Sequence, residues 1–151
     1  MAGIWRHFEP LKKFPRGLLP FSDAICRFNP VYGQGMSVAA QEAVLLRRLL
    51  GSEGDNALAA LAPAFFIAAC GLTETPWASA AVPDFAFLET KGQRPLDLER
   101  MLKFRRALNP LAAEDPDIHR QILEVQHLVK PRCVLCEPAL VERVQAMMAE
   151  A

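Results

Sequence analysis

Near the start of the chain, Asp23, Gly33, Gln34 and Gly35 are the residues whose types and spacing could do chemistry. That chemistry belongs to a carboxylate and to bare backbone. Gly33 and Gly35 flank Gln34 just where a long apolar-faced run without Gly or Pro begins, and glycine lets the main chain come close to a ligand with no Cβ in the way. The first turn of a helix leaves N–H groups unpaired and carries about half a positive elementary charge, which favours anionic groups. Asp23 offers an acceptor pair suited to a sugar hydroxyl. The set suits a nucleotide-type cofactor; it equally reads as an ordinary turn from strand to helix, with glycine for geometry and Asp23 as a local cap.

Other chemistry-bearing residues are less organised. Cys133 and Cys136 have the two-residue spacing of a redox pair or of half a zinc site. Cys26, Cys70, His119 and His127 supply no second ligand pair at usual spacing, and His119 and His127 lie about 12 Å apart along a helix. No metal site is expected, and four cysteines without a leader peptide read as reduced thiols. His7 reads as a surface or packing histidine. Asp84, Glu89, Asp97, Glu99, Asp115, Asp117 and Glu124 stand at helix starts and on solvated faces, so no catalytic side chain is singled out.

The elements that must position the first set are predicted as strand, loop and helix. Leu18 to Phe21 reads as a short strand, with Pro20 tolerable only at an edge or end. From Gln34 or Gly35 to Leu50, the apolar positions Met36, Ala39, Ala40, Ala43, Leu46 and Leu50 recur at three and four, one face of a helix. Val38, Val44, Leu45 and Leu49 widen that stripe, leaving Gln41, Glu42, Arg47 and Arg48 for water. This predicts a central, mostly buried helix, ended by Gly51. A second helix, capped by Asp55 or Asn56, is expected to reach Cys70 with a break at Pro63 and a stop at Gly71; a short piece from Trp77 to Val82 follows. After a loop over Asp84 to Gln93, helices are predicted from Pro95 to Leu108, from Pro116 to Val129 and from Pro138 to Met148.

Length and composition fit one globular domain: 151 residues, 52% hydrophobic and 23% charged. Seventeen basic residues balance seventeen acidic ones, so no nucleic-acid footprint is visible. The lead-in mixes Trp5, Phe8 and Phe14 with Arg6, Lys12 and Lys13, read as packing with solvated lysines. No apolar leader follows the first residues, and the stretch from Ala57 to Leu72, broken by Pro63, falls short of the roughly 20 residues that span a bilayer. A cytoplasmic protein with no transmembrane segment is expected.

The run DAICRFNPVYGQGM followed by SVAAQEA resembles the second nucleotide-binding motif of FAD-dependent monooxygenases. That superfamily is p-hydroxybenzoate hydroxylase-like, and the FNPVYGQGM form is similar to its branch related to 2-polyprenyl-6-methoxyphenol hydroxylases. The resemblance implies that Asp23 takes the ribityl chain of FAD, that Pro30 shapes the turn, and that the backbone of Gly33, Gln34, Gly35 and Met36 approaches the isoalloxazine ring and pyrophosphate. NAD(P)H is the implied reductant. One departure matters: Ser22 stands where the family has glycine before the aspartate.

No G-x-G-x-x-G can be assembled from the glycines of this chain, so the first βαβ unit of such a flavoprotein is missing. The resemblance therefore implies a mainly α, partial domain over 1–151, with the motif in 1–50 and a helical region in 51–151. It would be the C-terminal part of an α/β FAD-binding fold, inactive alone. The expected partners are FAD and either a separate Rossmann-containing chain or a second copy through self-association. The alternative is a helical interaction module or decayed remnant that keeps the motif unused.

Overall fold

The computed structural model describes residues 3–51 and 57–150. They form five α-helices, two short strands and three 3₁₀ turns, so the protein is mainly helical. Two compact units divide the chain, Met1–Trp77 and Ala78–Ala151.

In the first unit, β1 (Ile4–Trp5) and β2 (Cys26–Arg27) pair antiparallel, Ile4 opposite Arg27 and Trp5 opposite Cys26. The strand expected at Leu18 to Phe21 does not form. Pro20 has no N–H to give a ladder, Gly17 turns the chain at φ 77 just before it, and the pairing falls instead to Cys26 and Arg27. A 3₁₀ turn at Ser22–Ala24 leads into β2, and another at Pro30–Tyr32, capped by the Asn29 side chain, leads towards α1 (Gly35–Gly51).

The boundaries of α1 match its apolar period; its surroundings do not. Only Val38 and Glu42 are buried, while Met36, Val44 and Leu50 are exposed. Glu42, expected to face water, is fully buried. It lies four residues after Val38 and so on the same face of the helix.

Helix α2 (Ala57–Asp84) is continuous through Pro63, Gly71 and Pro76, where two shorter pieces were predicted. The predicted cap at Asp55 or Asn56 lies outside the described residues. Each interior proline costs about 3 kcal/mol, yet the buried positions Phe66, Ala69, Thr73, Pro76 and Ala80 keep one helical phase past Gly71 and Pro76. Burying each large apolar side chain is worth about 1.5–3 kcal/mol, so packing along that stripe offsets the local penalty. Thr73 Oγ1 also donates to the Ala69 carbonyl at 2.8 Å. The aromatic lead-in packs on this helix: Phe8 and Phe14 meet Phe66 at ring-centroid distances of 5.2 and 5.0 Å, and Phe21 stacks on Phe65.

In the second unit, α3 (Leu98–Glu114), α4 (Pro116–Gln126) and α5 (Pro138–Glu150) share a core of Ala107, Leu108, Leu111, Ile118, Leu140 and Val144. Here too a proline fails to stop a helix. Pro110 sits inside α3, whose next turn carries Leu111 into that core. Asp115 caps α4, accepting from the Asp117 and Ile118 N–H groups, and also accepts from Arg143 of α5 at 2.8 Å. Helix α4 ends before Pro131, at a left-handed Leu128 (φ 59) whose N–H donates to the Val125 carbonyl while that of Val129 reaches Glu124. That is the Schellman pattern, with leucine where glycine is usual.

Candidate functional site

The residues singled out in the sequence converge at the start of α1. Gly33 is left-handed, φ 66, and its N–H closes the preceding turn on the Pro30 carbonyl at 3.1 Å. A Cβ placed on Gly33 would meet nothing within 4 Å; one on Gly35 would lie 4.0 Å from Asp23 Oδ1. Asp23 is thus brought beside the first helical residue, although twelve positions separate the two in sequence. Asp23, Pro30, Gly33 and Met36 are exposed, Gly35 is half-buried, and Gln34 is buried beneath them. Among the described residues, only the Asp23 carboxylate comes within 4 Å of where a Cβ on either glycine would lie.

Its geometry depends on Ser22 and Glu42. Ser22 has φ 54, the left-handed region that costs an L-residue and that glycine enters freely. Its N–H donates to Glu42 Oε2 at 2.7 Å, so a carboxyl two turns into α1 holds the residue just before Asp23. Burial pushes the Glu42 carboxyl above its usual range, and the Ser22 hydrogen bond offsets this only in part. Glu42 Oε1 has no hydrogen-bond partner among the described residues. Beneath the corner, Cys26 is a buried thiol pushed up to about 12, chiefly by burial and then by the charges of Glu42 and Asp23. It is therefore a protonated, packing cysteine at neutral pH.

Glu42 was missed by the sequence reading because its position on the widened stripe was assigned to water; its four-residue spacing from Val38 was the available signal. The Cys133 and Cys136 side chains are exposed on a 3₁₀ turn, Arg132–Cys136. Among the described residues no third metal donor joins them, nor His119 and His127.

A shallow groove of about 450 Å³ lies away from the glycine corner, between α1 and α2 of the first unit. It is lined by Ala40, Val44, Leu45, Ala68 and Leu72, with Gln41 and Arg48 at its polar edge. None of the six residues read from the sequence belongs to it. The Ala40 and Val44 side of α1, predicted to be covered, instead forms part of an open apolar surface.

No family model matches this chain. The chain is similar to Protein Rv3254 of Mycobacterium tuberculosis, with 37% identity over 86 residues, which is 57% of this chain and 18% of that protein. The similarity thus spans less than a fifth of the relative's length. Among the described residues, no helix is long and apolar enough to cross a membrane.

Proposed function

We propose that this chain carries the part of a FAD site that faces the ribityl chain and ring, within a FAD-dependent oxidoreductase of monooxygenase type. The observation that carries the reading is the approach of the Asp23 carboxylate to the bare backbone of Gly35, at a helix start. The left-handed Ser22 adds support, because it occupies the position where the resembling family has glycine.

In this reading Asp23 accepts hydrogen bonds from ribityl hydroxyls. Pro30 and the left-handed Gly33 set the turn, and the backbone from Gly33 to Met36 lies against ring and pyrophosphate. Glu42 holds Ser22, and through it the placement of Asp23. When bound, FAD would supply the electron-transfer chemistry, with NAD(P)H as reductant, while the chain supplies binding and orientation. The ADP end requires a glycine-rich βαβ unit from elsewhere, so the 151 residues alone are inactive as an enzyme. A cytoplasmic location belongs to the same proposal.

The test is a titration of FAD into the purified chain, followed by quenching of flavin fluorescence. Saturable binding should weaken at least about tenfold in Asp23→Ala, a loss of about 1.4 kcal/mol, while an exposed control such as Arg120→Ala leaves it unchanged. Binding absent throughout, or indifferent to Asp23, removes the reading. The groove between α1 and α2 favours a second reading, a helical interaction module that retains the motif unused; it gains if a partner segment covers Val44 while FAD does not bind.

A further inference from the structure

Apart from the glycine corner, the first unit brings a pair of neighbouring donors together with a third that is distant in sequence. His7 and Glu9 follow β1 with one residue between them, and Cys70 comes from the middle of α2, 61 residues beyond Glu9. His7 Nδ1 lies 2.5 Å from Glu9 Oε1, Glu9 Oε1 lies 3.6 Å from Cys70 Sγ, and one donor atom from each of the three side chains lies within 4.8 Å of those of the other two. From these positions we infer that His7 Nδ1, Glu9 Oε1 and Cys70 Sγ form a three-ligand site for a divalent transition-metal ion of the zinc type, with the remaining position open to solvent.

The donor set suits that class of ion. Imidazole, carboxylate and thiolate together select a borderline metal such as Zn²⁺ over Mg²⁺ or Ca²⁺, which prefer all-oxygen shells. Zinc bonds of about 2.0–2.3 Å in tetrahedral array place donors about 3.3–3.6 Å apart. The contact between Glu9 and Cys70 already has that length. The His7 to Glu9 contact has to open by less than about 1 Å, which the exposed imidazole can do by turning about its side-chain bonds.

Two features favour the site over a chance meeting of side chains. The Trp5 ring lies against the His7 ring, tilted by 34°, at 4.3 Å between centroids, and Trp5 is itself fixed in β1 and against Trp77. The imidazole is therefore partly preorganised. The carboxylates of Glu9 and Glu74 lie near Cys70, and their negative charge attracts a cation. Binding replaces the Sγ–H bond with a bond from sulfur to metal and releases one proton to solvent. Two anionic ligands and a neutral imidazole then balance a divalent charge. The side chain of His7 is 53% exposed, so the ion has an entry path.

The test uses Co²⁺ as a spectroscopic stand-in for Zn²⁺, in a Cys133→Ser/Cys136→Ser background that removes the exposed thiols. One equivalent of Co²⁺ should give a near-ultraviolet band from thiolate-to-cobalt charge transfer, together with visible bands of tetrahedral strength. The charge-transfer band should vanish in Cys70→Ser. The concentration of Co²⁺ needed for half-saturation should rise at least about tenfold in both His7→Gln and Glu9→Gln. No thiolate band in the background chain, a band that persists in Cys70→Ser, or titrations unmoved by His7→Gln and Glu9→Gln would each overturn the site. If Cys70→Ser does not fold, as read by far-ultraviolet circular dichroism, the two remaining substitutions decide, since His7 lies at the surface. None of these residues belongs to the glycine corner, so the outcome is independent of FAD binding.

Discussion

Single residues set the geometry of the glycine corner, and Ser22 is the one under strain. The left-handed region costs an L-residue about 1–2 kcal/mol, and glycine there gives back about 0.5–1 kcal/mol through the larger entropy of its unfolded chain. Ser22→Gly should therefore raise stability by about 0.5–1 kcal/mol, measured by urea unfolding, without moving the backbone of Asp23. Glu42 is strained in a different sense, because its carboxyl is buried and raised above 4.5. In the window between the ordinary and the raised value, the folded state binds more protons than the unfolded one. Stability due to this group accordingly falls as pH climbs through that window. Glu42→Gln keeps an acceptor for the Ser22 N–H but carries no charge to desolvate. Its stability relative to wild type should thus be lowest in acid and should improve as pH rises above the ordinary glutamate range. A difference that stays constant across that range would show that Glu42 titrates as if exposed.

Elements followed their apolar stripes more than their breakers. Pro63 pointed to a break, Pro76 to a new start and Pro110 to a stop, yet each lies within a helix; around Pro110 the buried Ala107, Leu108 and Leu111 stay in phase on either side. Local propensity is a small term, and a shared buried face outweighs it. Where no such face continues, local signals prevailed: Asp115 and Pro116 start α4 as their types predict. The Asp115 carboxyl is held below its usual 3.8 by the hydrogen bond from Arg143 and by the two helix N–H groups. A depressed carboxylate adds stability above its unfolded value and loses it as pH falls through the folded one. Wild type should therefore exceed Asp115→Asn in thermal stability near neutral pH, and the gap should close below about pH 3.8, as followed by circular dichroism of the helices. The effect should be modest, since the pair with Arg143 is solvent-screened.

At the scale of the whole molecule, the open question is the apolar surface of the first unit. Met36 is 86% exposed and Val44 lines the groove between α1 and α2, so this surface resembles a face that another segment covers. The isolated chain should bind a hydrophobic dye or self-associate, and Val44→Lys should reduce both, read by dye fluorescence and light scattering. A monomeric wild-type chain that binds no dye would mean the groove needs no cover. Either result bears on the flavin proposal, in which a βαβ unit from elsewhere supplies that cover.

The sequence by itself determined the mainly helical class, the start of α1 at Gly35, the cap of α4 and the glycine turn, because each depends on residues within a few positions of one another. Tertiary structure alone decided which faces are buried, since burial depends on partners distant in the chain. It turned Glu42 inward onto Ser22, moved the strand pairing from Leu18–Phe21 to Cys26–Arg27, and carried α2 through its prolines. It also brought Cys70 to His7 and Glu9. A thiol so far along the chain from an imidazole and its neighbouring carboxylate has no periodicity to announce it, and only packing the β1 lead-in against α2 places all three within reach of one ion.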